Sequence, residues 1–115
     1  MTKKDDHLVV QWTSGDIEVA KNMVIMYTLN AKMHKWWENI TFIIWGPSSK
    51  LLSENKDLQK QIEKFIENDI EVLACKACAD QYGVSKKLSK LGIDVKYMGK
   101  PLTNYIKDDY KVVTF

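Results

Sequence analysis

Two cysteines carry the chemistry that this sequence is best suited to perform. Cys75 and Cys78 are the only cysteines among the 115 residues, and two residues separate them within the segment 72–80. Cys75 lies where an apolar strand-like run gives way to a helical pattern. A thiol at the start of a helix feels the positive end of the helix dipole, which stabilises the nucleophilic thiolate. Lys76 adds a possible cation, so Cys75 is predicted to be a reachable nucleophile that needs no catalytic histidine.

Cys78 follows one helical turn later, where its thiol could face the same side as that of Cys75. The spacing Cys-x-x-Cys also occurs in zinc sites and in thioredoxin-like proteins. His7 and His34 lack metal-ligand spacing, so no metal is expected. A thioredoxin motif would follow an early strand, whereas this motif follows the third. A small buried hydrophobic cysteine is the remaining alternative, and the residues alone leave open whether Cys75 is reactive or structural.

A second group of polar residues follows the first predicted strand and supports a different hypothesis. The hydroxyl and N–H groups of Thr13, Ser14 and Gly15 could hold a small anion at the start of the first helix. The simpler interpretation is that these residues form the turn and that Asp16 caps the helix. Both interpretations place the segment at the same edge of the sheet as Cys75.

The elements that must position these residues alternate along the whole chain, which is typical of a parallel sheet with helices on both faces. Apolar runs predict five strands, at 8–12, 40–45, 70–74, 93–97 and 111–115. Segments with a 3.6-residue period predict helices at 16–33, 48–54, 57–68, 76–82, 85–91 and 101–107. In such folds ligands bind at the carboxyl edge of the sheet, which is where the third strand delivers Cys75.

The first predicted helix carries two adjacent apolar stripes instead of one. The two stripes consist of Ile17, Ala20, Val24, Tyr27 and Ala31, and of Val19, Met23, Met26 and Met33. Together they are wider than the stripe needed to pack on one sheet. The helix is therefore either deeply buried within its own chain or meets another subunit through its methionine side. Four tryptophans (Trp12, Trp36, Trp37 and Trp45) are more than so small a core buries easily, and we expect a homo-oligomer.

Composition narrows the classes of function. Apolar residues make up 45% and charged residues 28%, and the length suits a single domain covering residues 1–115. All 17 basic residues are lysines. Without arginine to read base edges, sequence-specific nucleic-acid binding is not expected. No apolar run is long enough to span a membrane and no signal peptide is recognised, so a cytoplasmic location with reduced thiols is expected.

The cysteine segment and its surroundings resemble a known family. The matching features are a strand ending in Cys75-x-x-Cys78, with Gly83 and Val84 following, and an apolar second strand before Gly46. The strand–turn–helix opening over 8–33 and the ending 112–115 match as well. In these features the chain resembles the DsrE/DsrF-like proteins of sulfur relay, which include TusD/DsrE-type proteins. The resemblance implies a flavodoxin-like, three-layer α/β/α fold with a five-stranded parallel sheet, commonly assembled into trimers or hexamers.

The resemblance also implies an activity. Cys75 corresponds to the cysteine that carries a persulfide and passes sulfur to a partner protein, as in tRNA thiolation or sulfur oxidation. The chain would then be a sulfur carrier or sulfurtransferase without a cofactor, and Cys78 would be a candidate to resolve the persulfide by forming a disulfide. The alternative is a non-catalytic, oligomeric module that binds a small ligand or anion and in which Cys75 is structural. A third reading is a thiol switch that forms a transient Cys75–Cys78 disulfide.

Overall fold

A computed structural model describes residues 6–115 and contains one five-stranded, all-parallel sheet. The strands are β1 (His7–Trp12), β2 (Asn39–Ile44), β3 (Glu71–Cys75), β4 (Asp94–Lys96) and β5 (Lys111–Thr114). Their spatial order is β4-β3-β2-β1-β5, and every neighbouring pair is parallel. The predicted α/β fold class with a five-stranded parallel sheet is confirmed.

Six helices connect the strands. They are α1 (Ile17–Val19, a π-helical Ala20–Ile25 and Met26–Met33), α2 (Pro47–Glu54), α3 (Lys56–Glu67), α4 (Lys76–Tyr82), α5 (Ser85–Lys90) and α6 (Gly99–Lys107). Each predicted strand and helix lies within two residues of its observed bounds. Across residues 6–115, none of these helices has the length and apolar character needed to cross a membrane.

The strand order determines which face of the sheet each helix covers. From β1 to β4 every new strand is added on the same side, so right-handed crossovers place α1 to α5 on one face. The connection from β4 to β5 returns across the sheet and places α6 on the opposite face. Among residues 6–115, α6 is the one helix there. We call the two sides the five-helix face and the single-helix face.

The five-helix face holds the larger hydrophobic core. Strand residues such as Trp12, Phe42 and Ile44 are fully buried against helix residues that include Phe65 of α3. The rings of Phe42 and Phe65 meet edge to face with centroids 5.0 Å apart. Aromatic pairs in this arrangement stabilise a core beyond the area that they bury.

The single-helix face holds a smaller core that includes a cysteine. Its buried members are Val9, Ile43, Leu73, Cys75 and Met98. Half-buried side chains surround them, namely Trp45, Cys78, Leu102, Tyr105, Tyr110 and Val112. Alternate residues of β1, β2 and β3 point to this face because side chains alternate along a strand.

Helix α1 leaves its methionine side exposed. Met23 is 50% exposed, Met33 is 60% exposed, and Trp36 just beyond the helix is 58% exposed. The interpretation of α1 as a deeply buried helix is therefore wrong. The predicted apolar stripe also fails at Tyr27, because the π-helical turn inserts an extra residue and brings Thr28 to the buried side instead.

Candidate functional site

Cys75 lies at the junction predicted for it, but it is nearly sealed. It is the last residue of β3, pairs with Lys96 of β4, and directly precedes the first residue of α4. Only 4% of the residue is exposed. The expectation that the Cys75 thiol is directly reachable from solvent is therefore wrong for this conformation of the chain. The surrounding side chains are those of the single-helix face.

Cys78 is the more accessible of the two thiols and lies beside the first. Both cysteines are free thiols, and Cys78 is half buried one helical turn into α4. Burial raises the pKa of the Cys78 thiol, and the neighbouring Cys75 thiol raises it further. The backbone N–H of Gly46 faces the sulfur and acts in the opposite direction. The structure thus brings the two thiols together, with the more exposed one held mainly in its neutral form at neutral pH.

Gly46 is a site residue that the sequence analysis treated only as the end of a strand. It follows β2, the strand beside β3, so its backbone reaches the same carboxyl edge as the cysteines. Its φ of +72° is a conformation that side chains other than glycine rarely adopt. The preceding Trp45 packs against the buried core that contains Cys75. The signal available in the sequence was a Gly-Pro pair ending a strand adjacent to the cysteine strand.

Lys76 points its charge at other partners. Its Nζ forms a salt bridge with Asp80 at 2.9 Å and stands 5.7 Å from the centre of the Tyr97 ring. The hydrogen bond with Asp80 raises the pKa of Lys76 above its ordinary value. Ser85 donates a hydrogen bond to the other carboxylate oxygen of Asp80. Lys76 therefore contacts the residue after β4 and pairs within α4 with Asp80, whose hydrogen bond from Ser85 links α4 to α5.

The Thr13–Gly15 turn uses its polar groups within the chain. The backbone N–H and the hydroxyl of Thr13 both donate to the carbonyl of Phe115, at 2.7 and 2.8 Å. The N–H of Ser14 donates to the same carbonyl, while its hydroxyl accepts from the N–H of Asp16. A Cβ on Gly15 would lie 3.2 Å from Pro47, so a close approach of two loops favours glycine here. These donors position the carboxyl end of β5 instead of facing an empty anion site.

Asp16 has the role that the simpler interpretation assigned to it. Its carboxylate accepts hydrogen bonds from the N–H groups of Glu18 and Val19, at 2.7 and 3.2 Å. These bonds satisfy donors that are otherwise unpaired at a helix start. The prediction that Asp16 caps the first helix is confirmed.

The opposite, amino edge of the single-helix face carries a polar cluster that the sequence analysis missed. Nε2 of His7 lies 2.7 Å from the Thr41 hydroxyl, which donates to Glu71 at 2.9 Å. The Thr41 hydroxyl has one hydrogen and donates it to Glu71. It must therefore accept the hydrogen bond from His7, whose Nε2 is the protonated ring nitrogen. Burial lowers the pKa of His7; Glu71 raises it and Lys32 lowers it by smaller amounts. In the sequence, these three polar residues lie at or near the starts of β1, β2 and β3, and that shared position is the signal that could have located the cluster.

Tyr105 of α6 joins this cluster. Its ring centroid lies 6.1 Å from that of His7 and 5.1 Å from that of Tyr110. Burial is the main cause that raises the pKa of Tyr105, and its interaction with Thr41 lowers that pKa by less. The cluster thus holds the end of α6 against the amino edge, far from the thiols. Across residues 6–115, this cluster included, no group of three or more His, Cys, Asp or Glu side chains is arranged to hold a metal ion.

Comparison with known proteins gives a consistent family match. The model of the DsrE/DsrF-like family matches residues 17–115. A solved structure of a conserved protein of unknown function, BT1422 from Bacteroides thetaiotaomicron, is 36% identical to this chain. The match covers 100% of this chain and 99% of that one, with a TM-score of 0.96. No curated protein matches the chain significantly.

Two more distant structures share the fold. MTH1491 from Methanobacterium thermoautotrophicum, also titled a protein of unknown function, is 13% identical with a TM-score of 0.76, covering 95% of this chain and 98% of that one. The ychN protein from E. coli is 15% identical with a TM-score of 0.69, covering 96% and 98%. At these identities the likeness concerns the arrangement of the backbone.

Proposed function

This chain belongs to the DsrE/DsrF-like family, and from that premise we propose that it is a sulfur carrier or sulfurtransferase that holds a persulfide on Cys75. The observation that carries the proposal is the pair of free thiols at the carboxyl edge of the sheet. Cys75 and Cys78 lie next to one another, with the backbone of Gly46 beside Cys78. Ligands of open α/β folds bind at this edge.

The proposed reaction is a sulfur exchange without net oxidation. The Cys75 thiolate attacks the outer sulfur of a donor persulfide, R–S–SH. A new S–S bond forms on Cys75 as the S–S bond of the donor breaks, and the donor leaves as the thiolate R–S⁻, which takes a proton from solvent. A partner thiolate then attacks the outer sulfur of Cys75–S–SH in the same way. Each step needs a thiolate, because the thiolate is the nucleophile.

The surroundings of Cys75 suit the storage step of this reaction. The sulfur lies in an apolar core formed with Val9, Ile43, Leu73 and Met98. Such surroundings shield a persulfide from water and from bulky reductants. Cys75 must be a reduced thiol to accept sulfur, so the proposed activity belongs in a reducing compartment such as the cytoplasm.

Mass spectrometry of the intact protein tests the proposal. After incubation with a persulfide donor and removal of the donor, wild type should gain about 32 Da, the mass of one sulfur atom. Cys75→Ala should abolish the adduct. Cys78→Ala is the matched control and should retain it. A reduced, folded wild-type sample that gains no sulfur would contradict the proposal, and an adduct that persists in Cys75→Ala would move the carrier role to Cys78.

The structural alternative has one observation in its favour. With 4% exposure, Cys75 has the burial of an ordinary packing residue. In that case the chain would be a non-catalytic module that binds a small ligand or anion. A thermal-shift screen against nucleotides and phosphate would identify such binding, since a ligand of the folded state raises the Tm. Stabilisation that survives Cys75→Ala, without any sulfur adduct on wild type, would favour this alternative.

We also propose that the chain forms a homo-oligomer, a trimer or hexamer, through the exposed side of α1. Met23, Met26, Met33 and Trp36 present large apolar surface there. Single exposed apolar residues are ordinary, but a contiguous group marks an interaction surface. Sedimentation should give a mass above the monomer mass of 13.3 kDa. Met26→Glu should shift the mass toward the monomer, and Lys50→Glu, at an exposed position of α2, should not.

A further inference from the structure

One residue outside α4 stands out beside the proposed carrier cysteine. Met98 is 1% exposed and belongs to the same buried core as Cys75. It follows β4 by two residues, and Lys96 within β4 is the ladder partner of Cys75. The chain therefore passes from the strand beside the cysteine directly into Met98, at the carboxyl edge of the sheet.

Met98 is the first position of the apolar stripe of α6. Met98, Leu102 and Tyr105 are spaced i, i+4 and i+7, so they lie on one side of the helix. The helix begins at the carboxyl edge, where β4 ends, and finishes near the amino edge, where β5 starts. Met98 consequently covers the end of the face that carries Cys75, while Tyr105 packs against His7 at the other end.

A contact between two exposed side chains fixes the turn that carries Met98. The residue after Cys75 is Lys76 and the residue before Met98 is Tyr97. The ammonium group of Lys76 lies 5.7 Å from the centre of the Tyr97 ring, within reach of a cation–π interaction. This contact joins the residue that follows Cys75 to the residue that precedes Met98.

Few buried side chains hold α6 against the sheet. Between Gly99 and Lys107, α6 contains no fully buried residue, and its contacts with the sheet rest on half-buried Leu102 and Tyr105. Segments with few buried apolar contacts open at a lower free energy than the whole fold. Displacement of Met98 is therefore expected to require less free energy than unfolding of the whole chain. Met98 and Cys75 are buried in the same core while α6 is in place.

We propose that Met98 determines which reagents reach Cys75, with α6 and the Lys76–Tyr97 contact holding it closed. As a positioning residue it selects among sulfur donors, because a donor must be small or must displace the start of α6. The inference rests on the proposed function, in which Cys75 is the carrier. The half-buried Cys78, which is already partly accessible, supplies an internal reference for access.

Alkylation tests this inference without any sulfur donor. The folded protein is treated with iodoacetamide or with a bulky fluorescein maleimide, and each cysteine is followed separately by peptide mass spectrometry. In wild type, Cys75 should react more slowly than Cys78, and the difference should be larger with the bulky reagent. Met98→Ala should raise the Cys75 rate about tenfold or more and remove the size discrimination, because truncation of a buried methionine leaves a cavity.

Matched variants separate gating from general loosening. Met98→Leu conserves volume and should leave the Cys75 rate within about twofold of wild type. If Met98→Ala proves unfolded by circular dichroism, Tyr97→Leu decides instead, since it removes the contact with Lys76 at an exposed site and should raise the Cys75 rate by less. An unchanged Cys75 rate in the folded variant would overturn the inference. So would a wild-type Cys75 that reacts as fast as Cys78.

The two proposals fail in distinguishable ways. Loss of gating would appear in the alkylation rates and leave the sulfur adduct on Cys75 intact. Failure of the proposed function would appear as no sulfur adduct, even in Met98→Ala, where access to Cys75 is open. Normal gating with no adduct would thus reject the carrier role alone.

Discussion

The two faces of the sheet are built from the same strands but are covered very differently. On the five-helix face, α3 alone buries Leu58, Ile62 and Phe65 almost completely. On the single-helix face, α6 covers the sheet with half-buried side chains, and the buried Met98 lies just before it. The first face therefore contributes most of the hydrophobic stabilisation, which grows with buried apolar area. The second face contains the thiols and, having fewer buried contacts, is the one we expect to open at a lower free energy.

The comparison suggests why a carrier cysteine would sit where it does. A thiol on the five-helix face would be reachable only by unfolding much of the core. A thiol on a bare surface would lose its sulfur to solvent thiols. The single-helix face provides an intermediate environment, closed in the resting state and held by one short helix. Stability and access are thus assigned to opposite sides of one sheet, and four substitutions test that division.

The largest effect is expected on the five-helix face. Phe65→Ala should reduce the free energy of unfolding by about 3–5 kcal/mol, because it removes a buried ring that packs edge to face on Phe42. Urea denaturation followed by circular dichroism measures the loss. Ile106→Ala on α6, at a side chain that is 57% exposed, is the control and should change stability by less than about 0.5 kcal/mol. Equal losses in the two variants would contradict the claim that the five-helix face contributes most of the hydrophobic stabilisation.

A smaller loss is expected at the carboxyl edge, where Gly46 approaches Cys78. Gly46→Ala should destabilise by about 1–3 kcal/mol, because alanine rarely adopts φ +72° with ψ −138°, although the space for a Cβ is open. Gly99→Ala is the matched control. Its Cβ also meets open space, and alanine is the better residue in a helix, so that variant should be neutral or slightly more stable. If both variants lose stability equally in urea, backbone strain at Gly46 is not the cause.

A still smaller loss of stability is expected at Asp16, the residue that caps the start of α1. Asp16→Ala should cost about 1 kcal/mol, because two helix N–H groups lose their acceptor. Asp108→Ala, at the carboxyl end of α6, should have no cost or a slight benefit, since a negative charge is unfavourable at that end of a helix. Thermal unfolding of both variants provides the measurement. A larger loss in Asp108→Ala would reverse the expected order of the two faces.

The smallest effect is a pH dependence from the single-helix face. Burial lowers the pKa of His7 below its ordinary value of 6.5. Neutral His7 is therefore favoured by folding, and its contribution is present above pH 6.5 and declines as the pH falls toward the lower pKa of the folded state. His7→Gln should lose less stability than wild type between pH 7 and about pH 5. His34→Gln, at an exposed position, is the control and should follow wild type in urea titrations at both pH values.

The elements of this fold were predictable from local patterns. Apolar runs located all five strands, and Gly83 and Gly92 marked the ends of α4 and α5 because both adopt positive φ. The position of Cys75 at the end of β3 followed from the same pattern. The exposed methionine side of α1 was foreseen as one of two alternatives, although the π-helical turn that shifts the stripe at Tyr27 was not.

The surroundings of the thiols were much less predictable. Neighbours such as Gly46 and Met98 are 29 residues before and 23 residues after Cys75 in the chain. No local pattern reports contacts over such separations. Lys76 illustrates the limit, since adjacency in sequence suggested a partner for the thiolate while the folded chain directs it to Asp80 and Tyr97. The hydroxyls of Thr13 and Ser14 show the same limit, since the sequence suggested an anion site while the folded chain pairs them with the backbone of Phe115 and Asp16.

By itself, the sequence determined the alternation of strands and helices, the parallel sheet and the placement of two cysteines at a strand-to-helix junction. These properties depend on hydrophobic period and on residues close in the chain. Only the tertiary structure decided that Cys75 is buried, that α6 is the one helix of residues 6–115 on its side of the sheet, and that Met98 belongs to the same buried core. The physical reason is that the burial of a side chain depends on which helix lies over it. Here the strand order, which brings the last crossover to the opposite side of the sheet, decides that.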